Sequence, residues 1–389
     1  MVQSHEKFLM DSKHPPLSEV SRKLRVKWYR CPIDKEKLYT LMQRSDLKGG
    51  TQALGHLGLW LVTGTVAYTC YTYQWWVAFA LALFLHGTVG SFFKGIAVHE
   101  LGHGTVFRQK WLNRLFLRIF SLLGWWNYHE YAMSHTYHHR YTLHPEGDRE
   151  VVLPRNPTLK ALVLLQLFTV NLAFQREGAP ILQTLRGILW TACNRYDNPW
   201  VNDLYEGQPA ARRDAVRWAR CVLAFHLVLI SSFLAIGQPI LIVLVSGHVF
   251  IGNWLKYFVG LPMHCGLRDN VPDFRLCVRS ITLNPISEFL YWHMNWHTEH
   301  HMFAGVPCYN LSKVHELVKD DMPKPRTLTG AWREMRETWR HQREDPHYIF
   351  DTPLPPTARP AVTEAIPATD SADKELETSI GDLAPDAIR

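Results

Sequence analysis

Three short segments concentrate the chemistry of this chain: His99-Glu-Leu-Gly-His103, His135-Thr-Tyr-His138-His139 and His297-Thr-Glu-His300-His301. Histidine accounts for 21 of 389 residues, and imidazole is the commonest side-chain metal ligand. On a helix, residues three and four apart share a face. Each segment can therefore aim two or three ring nitrogens at one point. Eight such rings exceed the four ligands of a tetrahedral zinc. They suit two metal ions, and iron is well matched to imidazole. A pair of irons can share the electrons needed to turn O2 into an oxidant for an unactivated C–H bond. The first segment also fits the HExxH pattern of zinc proteases, with Glu100 as general base. That reading leaves the two later segments without a task.

Elements elsewhere must gather segments so far apart in the chain. Leu54 to Tyr73 and Gln74 to about Phe93 are apolar runs, each near the ~20 residues a membrane-crossing helix needs. The short aromatic break between them predicts a hairpin. Trp218 to Ile236 and Pro239 to about Val259 predict a second one, turning at Gly237-Gln238-Pro239. Between the hairpins, Trp111–Trp126, Leu159–Phe174 and Ile181–Cys193 read as helices lying on the bilayer, with six spans as the alternative. By parity the N-terminus and all three histidine segments share one side, and Lys and Arg near the span ends place that side in the cytosol. The expected fold is all-α and integral to a membrane, with about four transmembrane helices in two hairpins and a cytosolic helical cap.

The rest of the composition agrees. The chain is 47% hydrophobic with 15 Trp, 15 Tyr and 18 Phe, as suits aromatic belts at two membrane interfaces. Its net charge of +7 lies largely beside apolar segments, which points to a membrane surface and away from nucleic acid. The seven cysteines follow no paired spacing, so reduced thiols are expected. Residues 1–50 form a basic segment without a cleavable signal pattern. Residues 51–350 form the membrane domain. Residues 351–389, rich in Pro, Ala, Thr and acids, read as a disordered tail.

The sequence resembles the membrane fatty acid desaturase family, which includes lipid hydroxylases and ketolases. The matching stretches are His99–His103, Ser134–His139 and Asn295–Phe303, with Val306 to Leu311 resembling the family's continuation after the third box. The likeness covers about residues 50–315. It implies a di-iron centre on His99, His103, His135, His138, His139, His297, His300 and His301. It further implies His264, in Leu261-Pro262-Met263-His264, as the ligand that many members carry after the fourth span. Phe303-Ala304 departs from the family's Phe-Pro. The implied activity is O2-dependent desaturation of an acyl chain or similar lipid, or hydroxylation at the same site. Electrons would come from a separate protein such as cytochrome b5 or ferredoxin. The implied setting is the endoplasmic reticulum or a bacterial inner membrane. Glu100 is expected to fix a histidine tautomer. Asp148 and Glu299 are candidates for the same role or for plain solvated charges. His129 and His293 are expected to be structural, and His86, His226 and His248, inside the apolar runs, stay outside the site. Asn253 and Trp254 are read as interfacial anchors, and Lys27 and Arg30 as positive-inside charges.

Overall fold

The computed structural model describes residues 15–153, 159–173, 180–196, 198–346 and 348–363. Among these the chain is mostly helical. Its one sheet is a two-residue parallel pair, Ile281–Thr282 with Arg326–Thr327.

The first apolar run lies in the helix Asp46–Thr72, which starts where the Ser45 hydroxyl accepts from Lys48 N. The second forms Trp76–Ser91, and the two helices pack along each other. Gly90 faces His248 so closely that a Cβ there would lie 2.0 Å from the ring. The third run lies in Pro209–Ala235. Among the described residues, two stretches are long and apolar enough to cross a membrane, Trp76–Gly102 and Pro209–Ala235. Asp46–Thr72 matches them in length at 27 residues, but Gly, Thr and His56 in its middle make it less apolar.

The expected fourth span is not one helix. Ile242–Ser246 forms a π-helical turn and His248–Phe250 a 3-10 turn. Ile251 then bridges to Val170, and Trp254–Gly260 resumes as a helix. Gly252 sits at φ 59° with the Phe84 carbonyl 2.9 Å from where its Cβ would be, a position only glycine fills without strain. The freed backbone groups find partners inside the protein, the condition under which broken helices survive at membrane depth. Thus Gly252 N donates to Thr169 O, and the Asn253 amide donates to Val249 O. Asn253 is buried at the break, not at an interface.

A second break precedes the first histidine box. Over Phe93–Ala97 the helix opens, with Lys94 at ψ 115° and Gly95 at φ 86°. The chain is thereby re-aimed before Val98–Gly102, which carries His99.

The N-terminal segment is docked. Trp28 stacks on Phe274 at 4.0 Å between ring centroids, and Arg30 Nη1 donates to Met302 O. Beneath it lies Arg275, fully buried, held by Asp273 at 2.7 Å and Asp321 at 2.9 Å. The guanidinium also covers the Tyr29 ring at 3.9 Å and donates to the carbonyls of Arg359 and Pro360. Disorder from residue 351 onward is therefore not what the described part of the tail shows. Residues 351–363 run as non-helical chain tied to this hub, with Arg359 N donating to Asp321 and Val362 N to Asp273. Composition alone misses this because the partners are backbone groups. Residues 364–389 lie outside the described residues.

Candidate metal centre

Each box sits on a helix or at its end. Tyr128–Tyr141 begins where the Asn127 side chain accepts from Glu130 N, and carries His135, His138 and His139. His297–Met302 carries the third box. His103 closes Val98–Gly102, and Gly104 follows at φ 68°.

All nine expected histidines are buried and fall into two groups. His99, His103, His135, His139 and His300 form one, and His138, His264, His297 and His301 form the other. In each group the ligating atoms lie within 4.8 Å of one another. The expectation that each box serves one point is corrected here, since the second and third boxes are divided between the groups. The reason is helical rotation of about 100° per residue. Positions i and i+4 nearly eclipse, so His135 goes with His139 and His297 with His301. The adjacent His138 and His300 diverge from His139 and His301 and join the opposite group.

The tautomers follow from partners that can only accept, or have already spent their proton. His138 Nδ1 donates to Asp148 Oδ2 at 2.9 Å and His135 Nδ1 to Glu150 Oε1 at 3.0 Å, while His99 Nδ1 lies 2.8 Å from Glu100 Oε1, which accepts from it when that buried carboxyl is ionised. His264 Nδ1 donates to Cys277 O. Thr142 gives its hydroxyl proton to His138 O, so it accepts from His301 Nδ1 at 3.1 Å. Each of these rings is left with a bare lone pair on Nε2.

Those lone pairs converge. Nε2 of His297 is 3.0 Å from Nε2 of His264 and 3.2 Å from Nε2 of His301, and the Nε2 atoms of His300 and His139 are 3.2 Å apart. A proton on His297 could satisfy only one of its two neighbours. A cation satisfies all of them, because two nitrogens ~2.1 Å from one ion and at right angles lie about 3.0 Å apart. His99 Nε2, His135 Nε2 and both nitrogens of His103 are buried without a partner, a costly arrangement unless a metal is held there. The donor set therefore fits two metal ions, and its all-imidazole character is compatible with iron.

Burial, reinforced by neighbouring rings, pushes His135, His139, His297, His300 and His301 well below the ordinary imidazole pKa. These folded-state pKa values are depressed, so without metal the unfolded chain takes up protons first. Their contribution to stability is full above ~6.5 and is lost as pH falls below it. Metal-stripped protein should melt at a clearly lower temperature at pH 5.5 than at pH 7.5; equal melting temperatures would contradict it.

The other candidates sort cleanly. Glu100 and Asp148 hold histidines of the groups. Glu299 instead contacts His315 and Ser280, away from both groups. His129 stacks on Tyr128, and His293 pairs with Glu288. His86 and His226 bond neighbouring helices. Sequence reasoning passed over Glu150 and Thr142. Glu150, two residues after Asp148, could have been picked from the acidic run that follows the second box; Thr142 carries no such signal. A pocket lined by Trp28, Arg30, His139, Phe274, His301 and Phe303 reaches the histidines from the docked N-terminal side.

A family model described as fatty acid desaturase matches residues 74–331. An sn-1 oleoyl-lipid 12-desaturase from Picosynechococcus sp. is 23% identical over 262 residues, covering 63% of this chain and 70% of its own. A chloroplastic omega-3 fatty acid desaturase from Ricinus communis is 25% identical over 319 residues, covering 75% of this chain and 65% of its own. A second sn-1 oleoyl-lipid 12-desaturase, from Synechocystis sp., is 22% identical and covers 74% of this chain and 78% of its own.

Proposed function

This chain belongs to the fatty acid desaturase family, and from that premise we propose that it is a membrane di-iron oxidoreductase that uses O2 to desaturate an acyl chain or similar lipid. The observation that carries the proposal is the pair of buried histidine groups sharing the second and third boxes. In this reading His99, His103, His135, His139 and His300 hold one iron, and His138, His264, His297 and His301 the other. When bound, the irons supply the O2-derived oxidising power that removes hydrogen from an unactivated carbon. The balance is two hydrogens taken from adjacent carbons and O2 reduced to two waters, with two electrons from a separate donor such as cytochrome b5 or ferredoxin and two protons from solvent.

The chain's own residues hold the rings still. Asp148, Glu150 and Glu100 fix three tautomers, and the Thr142 hydroxyl and Cys277 carbonyl fix two more. Rigid placement matters because desaturation and hydroxylation share the same ligands and separate on ångström-scale substrate position. The apolar helices carry the site in a membrane, the endoplasmic reticulum or a bacterial inner membrane. The four apolar runs act as paired passes, the last through its broken segment. The histidine groups, the docked N-terminal segment and the residues that follow the last run form the cytosolic cap.

The test has two parts. Purified protein should contain about two irons per chain by ligand count; one zinc and no iron would support the protease reading of His99–His103. Cells expressing the wild type should then be compared, lipid by lipid in mass, with cells expressing the His138→Ala, His300→Ala double variant. A wild-type product lighter by two hydrogens supports desaturation. A product heavier by one oxygen replaces it with hydroxylation, and identical lipid profiles sink the enzyme reading.

A further inference from the structure

The pocket on the docked N-terminal side is a second way into the centre. It is a cavity of about 80 Å³, and two of its lining rings are His139 of the five-histidine group and His301 of the four-histidine group. Those rings lie 4.4 Å apart between centroids and within 16° of parallel, so the pocket opens on the seam where the two groups meet. Apart from them and Arg30 the described lining is apolar, with side chains from Trp28, Leu38, Met42 and Phe274. Among the described residues, none that lines it comes from the long helices Asp46–Thr72, Trp76–Ser91 or Pro209–Ala235. Leu38 and Met42 belong to the helix Lys35–Met42, in which no residue is fully buried, so this side of the pocket faces outward. Arg30 ties the N-terminal wall to the third box. Its Nη1 donates to Met302 O, beside His301, and its Nε is buried with no partner among the described residues.

Apolar cavities hold water poorly and take up small apolar guests, and ~10–15 Å³ suffices for a water-sized one. This pocket therefore has room for several. A reaction between O2 and a lipid needs two approaches, because an acyl carbon held against the centre closes the approach it came by. Resting on the oxidoreductase reading above, we propose that this pocket is the dioxygen port: O2 collects in it and passes between His139 and His301 to both groups, while the lipid arrives from the side of the apolar helices. Dioxygen is neutral, apolar and small, which is the chemistry these walls select. The waters that form leave by the same pocket, where Arg30 Nε is a donor they can bond.

The test uses two apolar probes on the iron-loaded protein. Crystals held under xenon should show the gas against His139 and His301, and Leu38→Trp, which fills the pocket from its outer side, should remove it. The ferrous protein in dioleoylphosphatidylcholine nanodiscs should combine with nitric oxide, a diatomic stand-in for O2, about fourfold or more slowly in Leu38→Trp. That is the scale of excluding one methylene-sized apolar guest. Met42→Ala widens the pocket and should speed the same reaction, and both variants should carry as much iron as the wild type. If Leu38→Trp fails to fold or loses iron, Met42→Phe tests the same space. No xenon in the wild-type pocket, a lipid tail there in its place, or an unchanged nitric oxide rate once the pocket is filled would overturn the assignment and leave the oxidoreductase reading untouched. Protein that takes up no iron would sink that reading instead, and xenon would then mark the pocket as a gas site only.

Discussion

His264→Ala is expected to lower iron content from about two per chain towards one and to cut turnover more than about a hundredfold, because even partners of ligands cost ~10–100-fold. His264 belongs only to the four-histidine group. Its removal leaves three rings there and leaves all five of the other group. The converse substitution, His300→Ala, strikes only the five-histidine group, which retains four rings. Iron should therefore fall in both variants but further in His264→Ala, and product should vanish in both. Retained turnover with unchanged iron in His264→Ala would remove that residue from the centre.

The second large effect is expected at Asp148. It is fully buried, and four donors converge on it: His138 Nδ1 and Leu143 N on Oδ2, Glu150 N and Val151 N on Oδ1. Burial pushes its pKa up, but the His138 ring and these hydrogen bonds outweigh it, and the carboxylate is held below its ordinary value. Asp148→Asn keeps the shape but turns an amide NH2 towards two donors. Whichever oxygen is replaced, two contacts become repulsive and two N–H groups lose their acceptor, at ~1–3 kcal/mol for each buried group left unpaired. Iron affinity or turnover should drop ~10–100-fold, as for other partners of ligating histidines. A titration with Fe2+ under exclusion of air, followed by single-turnover product measurement, checks both. Iron affinity and turnover equal to wild type would show that Asp148 merely fills space.

What the sequence revealed depended on how local the signal was. The three boxes are spacings within five residues, so the nine histidines could be named without a structure, His264 through family likeness alone. Their division into five and four was not legible. It depends on where helices as far apart in the chain as those of His99 and His300 come to rest, although the 100° step that splits His138 from His139 was available in principle. Three apolar runs became long helices, because composition over ~20 residues is a strong signal. The fourth run failed because Gly247, Gly252 and Asn253 punctuate it, and a hydropathy average hides them. The held part of the tail was invisible for another reason. Its partners are Arg275, Asp273 and Asp321, and what they grip is backbone, which has no sequence signature.

The sharing of boxes between the two groups also constrains how the protein is made. Each group needs a histidine from the third box, His300 for one and His297 with His301 for the other. A nascent chain that ends before residue 297 can complete neither. During synthesis it carries the first two boxes as open, partly assembled chelators that any available divalent ion could occupy. On the di-iron reading, metal loading therefore waits for a late stage of translation or follows it, and an early wrong ion must be released before the third box can close the centre.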